Sequence, residues 1–155
     1  MQQKKIAFIA SSGGHFTQLM MLKPLMDEYD HIIITEKTDI GEGKPDGEKI
    51  YYVPQINRKD KILIFELIAN AFCSLKIFIK EKPTVVISTG VLATIPFCLL
   101  AKLFGARLIY IESFAKVKSP TQTGKLLYKY ADHFFVQWKS MQDVYKKAIY
   151  AGGLY

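Results

Sequence analysis

Short runs of consecutive apolar residues alternate with stretches of helical periodicity along the whole 155-residue chain. The stretch from Ile6 to Ala10 is apolar throughout, and Val85-Val86-Ile87 and Leu108-Ile109-Tyr110-Ile111 repeat the pattern. A strand that is apolar on both sides must be covered on both faces, as in a parallel sheet between two layers of helix. The alternation therefore predicts an α/β fold, a Rossmann-like, mostly parallel sheet with helices on both faces, in one domain spanning residues 1–155. Strands are expected near 5–11, 31–35, 50–53, 85–88, 107–111 and 133–137. Helices are expected near 16–28, 60–80, 92–104, 124–131 and 140–147, with Pro24 bending or dividing the first and Pro83 and Gly105 ending two others. Residues 39–49 hold three Gly, one Pro and six charges and predict a mobile exposed loop; residues 112–123 also read as loop.

Right-handed crossovers would place the ends of the first, fourth and fifth strands, and so Ser11, Ser88 and Glu112, on one rim of the sheet, the carboxyl edge where open sheets bind ligands. The first strand runs into Ser11-Ser12-Gly13-Gly14-His15 and then a helix. Gly13 and Gly14 permit close approach of a ligand to the backbone, and the unpaired amides of the next turn favour an anion. Ser12 is a candidate cap for that helix, and His15 adds a group able to hold or move a proton near neutral pH. The bland alternative is a tight turn with a locally bonded histidine. Ser88-Thr89-Gly90 repeats the device at the fourth strand, so the two turns together form an expected wall of backbone donors suited to a pyrophosphate. Glu112 could orient a sugar hydroxyl or an imidazole, or pair with a lysine, and Lys116 could meet phosphate or simply be solvated. Trp138 is either core or interface; the aromatic ending Tyr150 to Tyr155 either docks on a partner or packs back.

Neither the G-x-G-x-x-G spacing of a dinucleotide site nor the Lys of a P-loop is present, which argues against NAD and ATP chemistry. Cys73 and Cys98 lie in apolar segments without metal-ligand neighbours and read as reduced thiols, so no metal and no cofactor are expected. The net charge is +7, and residues 112–155 carry seven Lys against three acids. That favours anionic partners, yet with Arg58 and Arg107 the only arginines there is no recognition helix for nucleic acid. No signal peptide is evident, and the apolar stretches 62–79 and 91–103 are too interrupted or too short to span a bilayer. A cytoplasmic protein touching a membrane surface fits better.

Taken in order, Ser12-Gly13-Gly14-His15, Ser88-Thr89-Gly90 with Pro96, Tyr110-Ile111-Glu112-Ser113-Phe114-Ala115-Lys116-Val117, Thr123-Gly124-Lys125-Leu126-Leu127-Tyr128, Ala131-Asp132 and Val136-Gln137-Trp138 resemble a known family. It is the acceptor-side subunit of the two-subunit N-acetylglucosamine transferase that makes dolichol-linked chitobiose. Also similar are bacterial proteins of capsule and exopolysaccharide loci that pair with a separate glycosyltransferase polypeptide. The resemblance implies the amino-terminal half of a split GT-B enzyme, inactive alone, whose partner is a donor-binding glycosyltransferase subunit. The pair would move a sugar from a UDP-sugar to a lipid-pyrophosphate-linked saccharide at the inner face of the cell membrane. It further implies acceptor-diphosphate binding by Gly13 and Gly14; the position of the other rim residues adds Ser12, Thr89, Gly90 and Lys116 to that expected site. The same rim position makes His15 or Glu112 the expected base, and the apolar and aromatic character of Trp138, Tyr150, Leu154 and Tyr155 makes them the expected partner interface. The chain departs from the eukaryotic pattern in starting directly at the first strand, and in Lys116, where many relatives have Arg. Two other readings stay open: a non-catalytic stabiliser of a partner transferase, and a stand-alone enzyme on a small phosphorylated substrate.

Overall fold

The computed structural model describes residues 4–37, 47–56 and 62–155. Its strands are β1 (Ile6–Ala10), β2 (His31–Glu36), β3 (Ile50–Val53), β4 (Val85–Gly90), β5 (Arg107–Ile111), β6 (His133–Val136) and β7 (Ile149–Tyr150). They form one seven-stranded sheet in the order β3-β2-β1-β4-β5-β6-β7, every neighbouring pair parallel. The chain winds outward from β1 to β3, returns to lay β4 beside β1, and then winds the other way. The gap between the ends of β1 and β4 is therefore the topological switch point, where the crevice of such a sheet opens.

Among the described residues five α-helices clad the sheet: α1 (Gly14–Met20), α2 (Lys23–Glu28), α3 (Leu63–Glu81), α4 (Ile95–Leu103) and α5 (Gln122–Leu127). Alternate residues of the central strands face opposite layers, which explains why those strands are apolar on both sides. Ala7, Ile9, Ile34, Val86 and Leu108 pack with Ile77 and Phe78 of α3 and Phe97, Cys98 and Ala101 of α4. Phe8, Ile33, Ile87 and Ile111 pack with Leu19 of α1 and Met26 of α2. Burial pushes the Cys98 thiol up to about 12, so it is an inert core residue.

The helix expected over 16–28 is divided, one of the two outcomes expected from Pro24, which sits in the first turn of α2, where its missing N–H costs nothing. Two other expectations need correction. The helix expected over 124–131 runs instead from Gln122 to Leu127, started by the Thr121 side chain accepting the Gly124 N–H. No helix forms over 140–147; a 3-10 turn at Lys139–Gln142 leads to β7, which the sequence reading did not anticipate. The loop expected at 39–49 lies mostly outside the described residues.

The amino edge of the sheet is closed by charge pairing. Glu81, at the end of α3, has a side chain only 3% exposed and is met by Lys5 at 3.1 Å, Lys49 at 2.8 Å and the Tyr51 hydroxyl. Burial alone would raise its pKa; the hydrogen bonds from Lys49, Tyr51 and Lys5 outweigh that and hold it at about 2. At the start of β5, Asp132 takes Lys102 at 2.8 Å and the Leu108 N–H at 2.7 Å.

The first part of α3 is turned apolar side out, while Ile77 and Phe78 near its end enter the core. Its buried residues include Asn70, Ser74 and Glu81. Asn70 donates to the Pro54 carbonyl and Ser74 to Asn70, so the inward polar groups are paired. Ile64, Phe65, Ile68 and Phe72 are exposed, and Lys76, Lys80 and Lys82 are exposed beside them. Among the described residues no helix is long and apolar enough to cross a membrane.

Candidate functional site

At the carboxyl edge the turn after β1 delivers Gly13 as the N-cap of α1, with φ +74° and no side-chain cap. This corrects the expectation for Ser12: the N-cap is Gly13 and no side chain caps the helix, the Thr17 hydroxyl donating to the Gly13 carbonyl at 3.4 Å, and Gly13 and Gly14 are exposed. A Cβ on Gly14 would meet nothing within 4 Å, so both glycines face open space rather than packed neighbours.

His15 ties this turn to the end of β4. Its Nδ1 lies 2.9 Å from the Thr89 carbonyl oxygen, and the Thr89 hydroxyl donates to the His15 carbonyl at 3.0 Å. A carbonyl can only accept, so Nδ1 carries the proton and the neutral ring presents Nε2 as its lone-pair nitrogen. The same fixing of tautomer by a second hydrogen bond is what a general base requires.

The second glycine turn does not supply a free donor. The Gly90 N–H is bonded to the Ser88 hydroxyl at 3.2 Å, and Gly90 is buried. Its role is close packing at φ +110°: a Cβ there would fall 2.8 Å from the Tyr110 hydroxyl oxygen. Thr89 is fully buried and serves His15 rather than the crevice. Val91, next in the chain, holds φ +90°, a strained conformation for a β-branched residue.

Glu112 is 1% exposed. One carboxylate oxygen accepts from the Ser113 N–H and the Thr121 hydroxyl, both at 2.9 Å. The other accepts from the Thr121 N–H at 3.2 Å and the Tyr145 hydroxyl at 2.8 Å. Four donors fill the four acceptor positions of a carboxylate, leaving none for a substrate proton. Glu112 thus folds the loop between β5 and α5, and none of the roles foreseen for it is the one it fills here. Burial, with the bond to Glu112 next, raises the Tyr145 pKa, so the phenol remains a donor. Gly124 is where this cluster closes, since a Cβ on it would fall 2.2 Å from the Glu112 oxygen.

Two glutamines with no role assigned from the sequence, Gln18 and Gln137, fasten the site. Gln18, buried on α1, donates to the Glu112 carbonyl at 3.4 Å and accepts the Phe114 N–H at 3.3 Å. Gln137 donates to the same carbonyl at 2.9 Å and accepts the Leu154 N–H at 3.0 Å. A buried amide at an apolar position of the α1 pattern was the available signal for Gln18. Trp138 is half-buried, with its ring 4.9 Å from Phe114 and its indole N–H donating to the Phe114 carbonyl at 2.7 Å. Lys116 is half-buried in the same loop and its backbone closes a turn onto Ser113. The chain ending packs back onto the domain. Leu154 joins the core beside α1, Tyr155 lies 5.0 Å from Phe114, and Tyr150 on the edge strand stays exposed.

These parts surround one cavity of about 410 Å³, lined by Gly14, His15 and Gln18 on one side and Ser113, Phe114, Ala115 and Tyr155 on the other. It joins exposed backbone at a helix start, a tautomer-fixed imidazole and an aromatic wall. Among the described residues there is no group of side chains able to hold a metal ion.

Comparison with known proteins bears on the fold and on the family. The profile of the family described as "Oligosaccharide biosynthesis protein Alg14 like" matches residues 49–154. The human UDP-N-acetylglucosamine transferase subunit ALG14 is 25% identical over 175 residues, covering 95% of this chain and 81% of the human protein. The Schizosaccharomyces pombe subunit of the same name is 26% identical, covering 97% and 83%. Among solved structures, Acinetobacter baumannii MurG superposes with a TM-score of 0.75 at 18% identity, over 88% of this chain and 42% of MurG. The Methanocaldococcus jannaschii UDP-GlcNAc 2-epimerase gives 0.75 at 14% identity, over 96% of this chain and 45% of the epimerase. This chain thus spans under half the length of those two proteins, and the likeness to them is one of fold. By the extent of the profile match, the chain belongs to the Alg14-like family of oligosaccharide biosynthesis proteins.

Proposed function

We propose that this chain is the acceptor-binding, membrane-associating subunit of a split glycosyltransferase. With a separate donor-binding subunit it would transfer a sugar from a UDP-sugar to a lipid-pyrophosphate-linked saccharide. The observation that carries the reading is the cavity at the carboxyl edge, where Gly14 and His15 at the start of α1 face Ser113, Phe114 and Ala115 of the loop after β5. The diphosphate lies against the backbone of Gly13 and Gly14, within reach of Lys116. Nε2 accepts the acceptor hydroxyl's proton as its oxygen bonds to the donor's anomeric carbon, and UDP departs with the electrons of the broken glycosyl–phosphate bond. Two names support the partner and the donor: the human and fission-yeast relatives are called subunits of a UDP-N-acetylglucosamine transferase. Capsule or exopolysaccharide assembly as the setting rests on the sequence resemblance alone.

Membrane association is assigned to α3, whose outward Ile64, Phe65, Ile68 and Phe72 and neighbouring Lys side chains suit an anionic lipid surface. Such a helix lies in the interface and does not cross it. On this reading Trp138 shapes the acceptor loop, while Tyr150 and the chain ending remain candidates for contact with the donor subunit. The decisive experiment is co-purification with the donor-side chain and transfer from labelled UDP-N-acetylglucosamine to a short-chain lipid-diphosphate saccharide. Transfer by the pair and by neither chain alone is the expected result. Full activity of the partner alone would reduce this chain to a stabiliser; activity of this chain alone would make it a stand-alone enzyme. For the surface, co-sedimentation with phosphatidylglycerol vesicles should fall in the Phe65→Ser/Phe72→Ser variant, and equal sedimentation would remove α3 from the membrane contact.

A further inference from the structure

Three glutamates are buried among the described residues: Glu36, Glu81 and Glu112. Glu81 is met by two lysines and a tyrosine hydroxyl, and Glu112 by four donors. Glu36, 6% exposed at the end of β2, has neither a hydrogen-bond donor nor a cation against it. Burial therefore raises its pKa with nothing to offset the shift. A buried carboxyl that no protein group satisfies costs stability, and its partner is to be sought outside the chain. Thr35, next to it in sequence, carries a buried hydroxyl oxygen that is also without a partner.

β2 lies parallel to β1, with Ile34 opposite Ile9. Glu36 is two residues past that pair, as Ser11 is on the β1 side, so it stands at the carboxyl edge beside the start of the Gly13-Gly14 turn. In an open sheet wound this way, a diphosphate on the glycine turn after the first strand places the sugar bonded to it over the end of the second strand. An acid about 20 residues past the glycines there accepts the sugar's hydroxyls. The interval from Gly14 to Glu36 is of that size. The dinucleotide glycine spacing is absent, so the ligand is a different one. A saccharide bonded directly to a diphosphate has the same connectivity.

We propose that Glu36 is the specificity-determining residue for the acceptor's sugar, its carboxylate accepting hydrogen bonds from hydroxyls of the ring bonded to the diphosphate. The inference rests on the acceptor-binding role and adds which side chain tells a sugar-bearing diphosphate from a bare one. Its two oxygens are unclaimed, so a pair of adjacent hydroxyls displaces no bond within the protein.

The test uses the full chain and two probes, citronellyl diphosphate and citronellyl-diphosphate N-acetylglucosamine, titrated by calorimetry into wild type and Glu36→Gln. Wild type should bind the sugar-bearing probe more tightly. In Glu36→Gln most of that advantage, roughly ten- to a hundred-fold by the usual strength of hydrogen bonds to a charged group, should be lost, while affinity for the sugar-free probe is unchanged. The melting temperature should hold or rise, because an amide of the same shape relieves an unpaired buried charge. A lower melting temperature, or a variant that fails to fold, would make the carboxylate structural and overturn the assignment. A Glu36→Gln variant that keeps the full advantage, or wild type that binds both probes equally, overturns the sugar contact and leaves the diphosphate reading standing. Binding of neither probe to wild type overturns the acceptor reading itself, and this assignment with it. Unchanged probe binding together with lost co-purification of the donor subunit would place Glu36 at that interface and overturn the sugar contact.

Discussion

The two edges of the sheet carry polar groups in opposite states. At the amino edge, Glu81 and Asp132 are each surrounded by cations and donors drawn from separate strands and helices, so the charges cancel within the protein. At the carboxyl edge Gly14 is exposed and lines the cavity, α1 has no side-chain cap, and the His15 ring, bonded through Nδ1 to the Thr89 carbonyl, lines the same cavity. Groups satisfied by the protein hold a fold together; groups left facing a cavity are available to a ligand. Glu112 is instructive because it stands at the carboxyl edge yet belongs to the first class, with four protein donors. Position on the ligand-binding rim therefore does not by itself make a residue functional.

The sharpest way to break the comparison is His15→Ala in the reconstituted pair. Loss of a positioned general base should lower turnover by roughly a hundred- to ten-thousand-fold, with little change in the melting temperature of the chain. A drop in stability with turnover preserved would place His15 with the structural groups instead. The complementary change is Gly124→Ala. A Cβ there would meet the Glu112 carboxylate oxygen at 2.2 Å, the Tyr145 hydroxyl at 2.6 Å and the Thr121 hydroxyl at 2.8 Å. Overpacking at three fixed polar atoms should cost about 3 kcal/mol, read by denaturant unfolding. An unaffected midpoint would mean that the Glu112 cluster yields easily and is not a rigid support.

The sequence made the sheet legible because its strands carry their own boundaries. The third strand ends before Pro54 and the fifth follows Gly105, and both were placed to the residue. What it concealed was the assignment of polar groups to those two classes. Glu112, His15 and Gly90 all stand after apolar runs, and nothing in their spacing tells that one is saturated by Thr121 and Tyr145, another is tethered to Thr89, and the third packs on Tyr110. Those partners lie far along the chain or across the sheet. The helix expected over 140–147 failed for a related reason. Met141, Tyr145 and Ala148 are buried at spacings of four and three, a pattern that a string of turns can satisfy as well as a helix. The Ser140 hydroxyl on the Val117 carbonyl and the Gln142 amide on the Ala148 carbonyl hold the turns instead.

At the amino edge, Glu81→Gln should cost about 2 kcal/mol near pH 7, the usual scale for losing hydrogen bonds to a charged group. The pH dependence gives a more specific signature. The Glu81 pKa lies at about 2 in the fold against an ordinary value of 4.5. The folded-state pKa is lower than the unfolded one, so this stabilisation is complete above pH 4.5 and is lost as the pH falls toward 2. Unfolding midpoints measured across that interval should drop more steeply for the wild type than for Glu81→Gln. Parallel curves would show that the carboxylate is not what the amino edge depends on.

The smallest effect is expected from Lys102→Ala, and it decides whether charge pairing as such or burial of the pair matters at this edge. Lys102 and Asp132 have side chains 31% and 34% exposed, so solvent screens their attraction and competes for both partners. Removing the lysine should cost about 0.5 kcal/mol, and added salt should erase the difference. Asp132 would still accept the Leu108 N–H, keeping the start of β5 in place. Glu81, by contrast, has a side chain 3% exposed, and the bonds made to it are correspondingly less accessible to salt. A cost for Lys102→Ala equal to that of Glu81→Gln would mean that the amino edge acts as one extended charge network, rather than as a buried carboxylate with an exposed pair beside it.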